Sequence, residues 1–512
     1  MSQVQTTRDD GAVETLDAAA AQGAQAAGGA GGAQLQRGLG VIDGALITIG
    51  AIIGTGIFFT TKDMAAVMPH AGLVLFVWIA GGLLTLAGAL TYAELGTLFP
   101  RAGGMYHYLK EAYGPLWGFL YGWTAFLVIM SGGIAAIAIG FGTYLGGFVP
   151  FFAPANVLLS VPLGSWTWSF NGMQVAAIGA ILLLTAVNHR GLREGAVVQN
   201  LFTLLKIGAL VAFVIGGIFV AAQAQPDWFG PLPNVAPSGA GGVGDAGSAG
   251  GAGSSGGFAL LVAFGAAMVG ALWTYDGWYG ITSSAGEMKR PERNLPRALI
   301  LGCAAVVVLY VLTNVMYFRA LPIGAMVGSE RIGQDAASAL FGGTAGRLFG
   351  AAVVVSSFGC LSATILYSSR LYLPMAQDGL FFRAAARVSP RFHTPGASLW
   401  MQSAWAVLLT LGGSYQALYT YVAFGGVLFH VLCGAAVFVL RRKRPELPRP
   451  YRAWGYPVVP ALFVLASLLL VWNTLETSPT ESLTALGLVF LGLPAYAFWR
   501  RRSLREERAR GA

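Results

Sequence analysis

Two short stretches carry groups suited to holding a small molecule: GAIIGTGIFF (Gly50–Phe59) and WTYDGW (Trp273–Trp278). Each puts glycine and polar residues in the middle of a long apolar run. Glycine weakens a helix by about 1 kcal/mol against alanine. A helix broken in hydrocarbon also exposes N–H and C=O groups that are costly unless something pairs them. Such breaks persist where a ligand or a water-filled cavity does the pairing. Beyond the first break, a helix starting near Thr55 presents free N–H groups and the positive end of its dipole, which favour a carboxylate. Before it, a helix ending near Ile52 and Ile53 presents carbonyls, which favour an ammonium group. The run ending near Trp273 and Thr274 points the opposite way and adds more carbonyls. Donors on one side and acceptors on the other suit a zwitterionic α-amino acid. Glycine at 54, 56 and 277 lets a ligand approach the backbone closely. On this reading Gly56 resists replacement because a side chain would fill the carboxylate position.

Three further sets of residues sit in apolar surroundings. Lys206, in NLFTLLKIG, falls about eleven residues into its run, ~16 Å deep at 1.5 Å per residue. An intramembrane lysine marks a functional site by default. Release of its proton would couple transport to protons; the alternative is a permanent hydrogen-bonded tie between helices. Asp276 has two readings as well. It caps the helix that follows, accepting N–H bonds from the first turn, or it attracts a cationic ligand side chain. Ser131, with Gly132 and Gly133, is placed either to line a side-chain pocket or to form a packing seam.

The elements that must position these residues follow from composition. The 512 residues are 55% hydrophobic and 10% charged, against about 25% charged in soluble domains. Runs long enough to cross a ~30 Å hydrocarbon core recur throughout. Twelve spans fit, near 41–67, 71–98, 115–147, 173–190, 196–222, 258–286, 296–319, 346–376, 397–412, 415–440, 457–475 and 483–499. The two interruptions open two five-helix units that start on opposite sides, so the repeat is inverted. The domains are then a disordered tail (1–36), a first repeat (37–222), a Gly/Ser-rich external loop (223–257), a second repeat (258–441), spans 11 and 12 (442–500) and a basic tail (501–512). Basic residues cluster in alternate segments, including Arg190, Arg193, Lys289–Arg297 and Arg441–Arg452. This bias predicts cytoplasmic termini in a plasma (inner) membrane. Together with anionic lipid it accounts for the net charge of +9 without nucleic acid.

The segments GAIIGTGIF, TYAELGTLFPRAGGMYHYL, YDGWYGITSSAGEMKRPERNLPRAL and RPYRAWGYPVVP resemble the amino acid–polyamine–organocation superfamily, and within it bacterial relatives of the L-type amino acid transporters. The resemblance spans residues 37 to 500. It implies an all-α polytopic membrane protein with the leucine-transporter-type 5+5 inverted repeat, helices 1 and 6 broken at mid-membrane, and alternating access. It implies that Thr55 and Gly56 bind the substrate carboxylate. It places the carbonyls of Ile52 and Trp273, with Asp276, around the amine, and makes the Trp273 ring a gate. Lys206 then stands where sodium-coupled relatives hold a cation, bracing spans 1 and 8, with Ser356 and Ser357 of span 8 facing it. Sodium dependence is not expected.

The expected activity is sodium-independent transport of α-amino acids by exchange or proton symport. Cationic amino acid or polyamine transport is the narrower alternative, and a membrane amino acid sensor the non-transporter one. A channel would need a continuous pore lining, whereas the spans show few polar stripes, and a sensor would need a large soluble output domain, which neither tail is expected to supply. No nucleophile–base or metal cluster at mid-depth suggests an enzyme, a metal or a cofactor. Cys303, Cys360 and Cys433 read as small buried apolar residues. The mammalian branch bonds a heavy chain through a cysteine between spans 3 and 4. Residues 148–172 contain none, so no disulfide-linked partner is expected. Glu94, Arg101, Glu287, Lys289 and Arg293 lie at cytoplasmic ends, where a salt-bridged inner gate is one reading, and solvated end charges, outside the site, the one preferred here.

Overall fold

The computed structural model describes residues 38–100, 103–163, 166–190, 192–233, 256–392, 394–412 and 414–511. The 1–36 tail, Arg101 and most of the Gly-rich stretch lie outside the described residues. Residues 41–98 form α1 (Val41–Ile52), α2 (Thr60–Val67) and α3 (Ala71–Leu98). Next come α4 (Met105–Tyr113), α5 (Pro115–Thr124), α6 (Met130–Gly146), a hairpin of β1 (Val157–Leu163) and β2 (Trp166–Asn171), α7 (Gly172–His189) and α8 (Leu192–Phe219). The second half holds α9 (Gly256–Tyr275), α10 (Pro291–Ala320), α11 (Ile323–Val327), α12 (Ile332–Phe341), α13 (Gly343–Ser369), α14 (Tyr372–Gln377), α15 (Gly396–Gly412) and α16 (Tyr415–Lys443). Last are α17 (Val458–Thr477), α18 (Pro479–Phe490) and α19 (Gly492–Gly511).

Ten helical segments among the described residues are long and apolar enough to span a membrane. The chain is therefore a polytopic, mostly helical membrane protein. Two of the twelve expected spans fall short of that length for identifiable reasons. The first is split, its α1 half being a 12-residue helix, and the ninth, α15, has 17 residues. The hairpin is a departure from the all-α expectation. Its strands pair antiparallel from Val157↔Asn171 to Leu163↔Trp166.

Local chemistry sets the helix starts. The Asp43 carboxylate accepts from the Gly40 amide (2.9 Å) ahead of α1. Asn171 and Gln174 form a capping box on α7, and the Ser414 hydroxyl accepts from the Ala417 amide (3.2 Å) on α16. At the far end of α16 the Arg441 guanidinium grips Glu94 of α3 through two hydrogen bonds, 2.9 and 2.6 Å. The same carboxylate accepts from the Ala453 amide at 2.7 Å, with Arg449 3.6 Å away. Its side chain is 1% exposed, so the expectation that Glu94 is a solvated end charge is wrong. RPYRAWGYPVVP folds back onto α3 and supplies its partners. Glu287, by contrast, pairs with Arg370 at 3.8 Å with both side chains partly exposed.

Replacing Glu94 by alanine leaves Arg441 and Arg449 without their carboxylate. The expected loss is ~3–5 kcal/mol of stability, read as a lower melting temperature of the purified protein in detergent. Glu111→Ala, which removes the exposed partner of Arg444, should change it little.

Candidate substrate site between the two broken helices

The first break lies where the sequence places it. Helix α1 stops at Ile52, Gly54 and Thr55 are irregular, Gly56–Phe58 make one 3₁₀ turn, and α2 resumes at Thr60. In the second, α9 runs to Tyr275, slightly past Trp273 and Thr274, and Gly277 turns the chain with φ +91°. Trp278–Glu287 then continue as 3₁₀ rather than α-helix.

The two breaks touch through their glycines. A Cβ on Gly56 would lie 2.6 Å from the Thr274 hydroxyl and 2.9 Å from its Cα. A Cβ on Gly277 would lie 2.8 Å from the Ala51 carbonyl oxygen. The contact with the opposite helix gives Gly56 a packing reason to resist replacement, beside the expected one that a side chain would fill the carboxylate position. The Thr274 hydroxyl donates to the Gly270 carbonyl (2.8 Å) and pairs with the Thr60 hydroxyl (2.8 Å), joining α9 to α2.

The helix-end carbonyls of α1 are divided among protein donors. The Lys206 ammonium, 2% exposed on α8, donates to the Gly50 (2.6 Å) and Ile53 (2.7 Å) carbonyls. The Tyr310 hydroxyl donates to the Ile52 carbonyl at 3.1 Å. The ammonium that Ile53 meets therefore belongs to the protein. On α9, the Trp273 carbonyl accepts from the Asp276 amide at 3.2 Å. Among the described residues, the carbonyls of Ala51 and Thr274 and the amides of Gly54, Thr55, Gly56 and Ile57 have no hydrogen-bond partner.

All of these residues but Ile57 edge a cavity lined by Ile52, Gly54, Thr55, Gly56, Trp273, Thr274, Asp276 and Gly277, with Ala51, Met130, Gly133, Cys360, Thr364 and Tyr367. Ile53 and Ser131 do not line it. Ser131 is buried, and its hydroxyl donates to the Phe126 carbonyl at 2.6 Å, across the π-helical turn Ala125–Ile129. Gly133, whose missing Cβ has open space, faces the cavity instead. Asp276 is not the residue at the cap position, which is Gly277. Its carboxylate faces the Gly277 amide and the Tyr279 hydroxyl. It also borders a second cavity, with Trp273, Trp278, Gly426, His430 and Ser467.

Lys206 makes no hydrogen bond to Ser356 or Ser357, whose buried hydroxyls have no partner among the described residues. Sequence reasoning missed Tyr415. Its hydroxyl lies 3.3 Å from the Thr55 hydroxyl and accepts from the Trp273 indole at 3.1 Å. A tyrosine at the start of an apolar helix gives no sign of that partnership.

A family model described as an amino acid permease matches residues 39–491. The chain belongs to the amino acid permease family. The permease is 30% identical to the serine/threonine exchanger SteT of Bacillus subtilis, over 90% of this chain and 96% of that one. It is 31% identical to the human b(0,+)-type amino acid transporter 1, over 90% and 88%. It is 30% identical to the human large neutral amino acids transporter small subunit 2, over 91% and 81%. The chain is accordingly an amino acid transporter of the amino acid–polyamine–organocation superfamily with the leucine-transporter-type architecture, and not an enzyme.

Gly56→Ala and Gly277→Ala should each lose nearly all uptake in proteoliposomes, whereas Gly179→Ala on α7, which meets open space away from the cavity, should keep it. Lys206→Ala should abolish or uncouple transport while the purified protein still runs as a monodisperse peak.

Proposed function

We propose that the permease exchanges α-amino acids across the plasma membrane by alternating access, without sodium and without a disulfide-linked partner. The reading is carried by the Lys206 ammonium, which occupies the Gly50 and Ile53 carbonyls at the end of α1. A fixed protein cation there answers the negative helix end that a coupling cation would otherwise stabilise. The remaining unpaired groups are then left for substrate: the amides of Gly54–Ile57 for the carboxylate, and the Ala51 and Thr274 carbonyls for the amine. Trp273 closes over the bound amino acid. In another state of the cycle the hydroxyl oxygen of Ser356 or Ser357 accepts a hydrogen bond from the third N–H of Lys206. Exchange is favoured over proton symport by the likeness to SteT, a serine/threonine exchanger. The three cysteines are buried and free, which supports a chain that works unlinked. The basic bias of alternate segments supports cytoplasmic termini.

Asp276 makes cationic side chains acceptable as well as neutral ones, since it borders the cavity and leaves the cap position to Gly277. Asp276→Asn should therefore depress lysine or arginine uptake at least about tenfold, while leaving leucine or serine uptake within about twofold. Equal loss for all substrates would give Asp276 a structural role.

Liposomes loaded with candidate amino acids and given one radiolabelled test the proposal as a whole. The expected result is uptake that requires internal amino acid, with or without sodium or a pH gradient. Uptake into empty vesicles driven by external acid would replace exchange by symport. No uptake of any α-amino acid would sink the reading.

A further inference from the structure

Beside Trp273, which lines the cavity, two facing pairs of side chains join the start of α2 to the start of α16. Phe59 and Asp63 stand four residues apart at the start of α2, and Tyr415 and Tyr419 four apart at the start of α16, so each pair shares one helix face. Phe59 packs on Tyr415 with ring centroids 4.8 Å apart. The Tyr419 hydroxyl donates to the Asp63 carboxylate at 3.1 Å. Trp273 lies between the pairs, bonded to the Tyr415 hydroxyl and stacked on the Tyr419 ring at 6.1 Å with 22° between planes.

Asp63 is thus the charged acceptor at the end of this chain of rings. A hydrogen bond to an ionised acceptor is stronger than one between neutral groups, and this one joins α2 to α16. We propose that Asp63 is a positioning residue for the gate. By holding the Tyr419 hydroxyl it fixes the ring on which Trp273 stacks, so Trp273 stays over the cavity until α2 and α16 part. This role rests on the transport reading above, in which the site opens and closes, but it concerns a residue outside the cavity lining.

The test uses Asp63→Ala, Asp63→Asn, Tyr419→Phe and the Asp63→Ala/Tyr419→Phe double variant of the full chain, each with Cys303 and Cys433 replaced by alanine. Cys360, which lines the cavity, then reports lid opening through its rate of modification by a water-soluble thiol reagent in detergent. Asp63→Ala and Tyr419→Phe should each be labelled about tenfold faster than the parent, as expected for loss of a bond to a charged group. The double variant should be no faster than either single one, and Asp63→Asn, whose neutral amide oxygen still accepts but more weakly, should fall between the parent and Asp63→Ala. In exchange assays Asp63→Ala should raise KM with little change in maximal rate, and Asp63→Asn should restore KM in part. Asp63→Asn as fast as Asp63→Ala, or losses that multiply in the double variant, would overturn the assignment. A parent protein that exchanges no amino acid would defeat the transport reading, while the labelling rates would still decide the role of Asp63.

Discussion

The contact on which the rest of the architecture depends is the reciprocal approach of the two breaks. Gly56 leaves room for the backbone at Thr274, and Gly277 leaves room for the Ala51 carbonyl. Interiors pack densely, so a methyl group with nowhere to go forces backbone movement. Here the neighbours are largely backbone and cannot rotate away. The two irregular segments are therefore held at one depth against each other, and their unpaired groups converge on one cavity. Positive φ at Gly277 adds a second reason for glycine there.

Once two helices stop inside an apolar slab, their ends must be answered. The answer is asymmetric. The α1 end is met by Lys206 and Tyr310, which take the carbonyls of Gly50, Ile52 and Ile53. The amides that follow are met by no partner among the described residues. A site with its carbonyl side mostly satisfied and its donor side open discriminates first for an anion, and a carboxylate is the part of an amino acid common to every member. The Ala51 and Thr274 carbonyls, unpaired among the described residues, come from different helices, and each residue lies against the glycine of the opposite break. On the proposed reading, recognition of the backbone portion of the substrate then follows from the packing of the breaks.

Much of this was legible from glycines and apolar runs. The span 71–98 coincides with α3, and both interruptions fall within a few residues of their expected positions. What escaped was the identity of the free carbonyls. That depends on where a lysine and a tyrosine from other helices place their donors, which no local pattern carries. Ser131 was misplaced because the π-helical turn at Ala125–Ile129 shifts the face of α6 that meets the cavity, putting Gly133 there. Glu94 read as a surface charge because its partners arrive from residues 441 to 453, more than three hundred positions later. Tyr415 and Tyr419 were hidden for the same reason: aromatic residues in a membrane helix are ordinary until a partner is known.

The two ends of α16 have opposite character, and this bears on which elements move. One end is fixed to α3 by the Glu94–Arg441 pair, with the Arg441 guanidinium also 3.6 Å from the Tyr456 ring centroid. The other end carries Tyr415 and Tyr419 against Phe59, Trp273 and Asp63. A buried bidentate ion pair is costly to break, whereas ring contacts and a single hydrogen bond are cheaper. The broken helices, by contrast, each contain a segment with no continuous hydrogen-bond ladder, at Ile53–Gly56 and at Asp276–Gly277. Hinges form where a few residues absorb a change in φ and ψ. Opening of the site is therefore cheapest as a swing of α2 and α9 about their breaks against a stationary α16. The same irregular backbone that supplies the recognition groups is then the hinge, so motion and binding act on one set of atoms. A ligand that bridges the amides of Gly54–Ile57 to the Ala51 and Thr274 carbonyls would tie the two hinges together, and in that way its presence is coupled to the position of the lid.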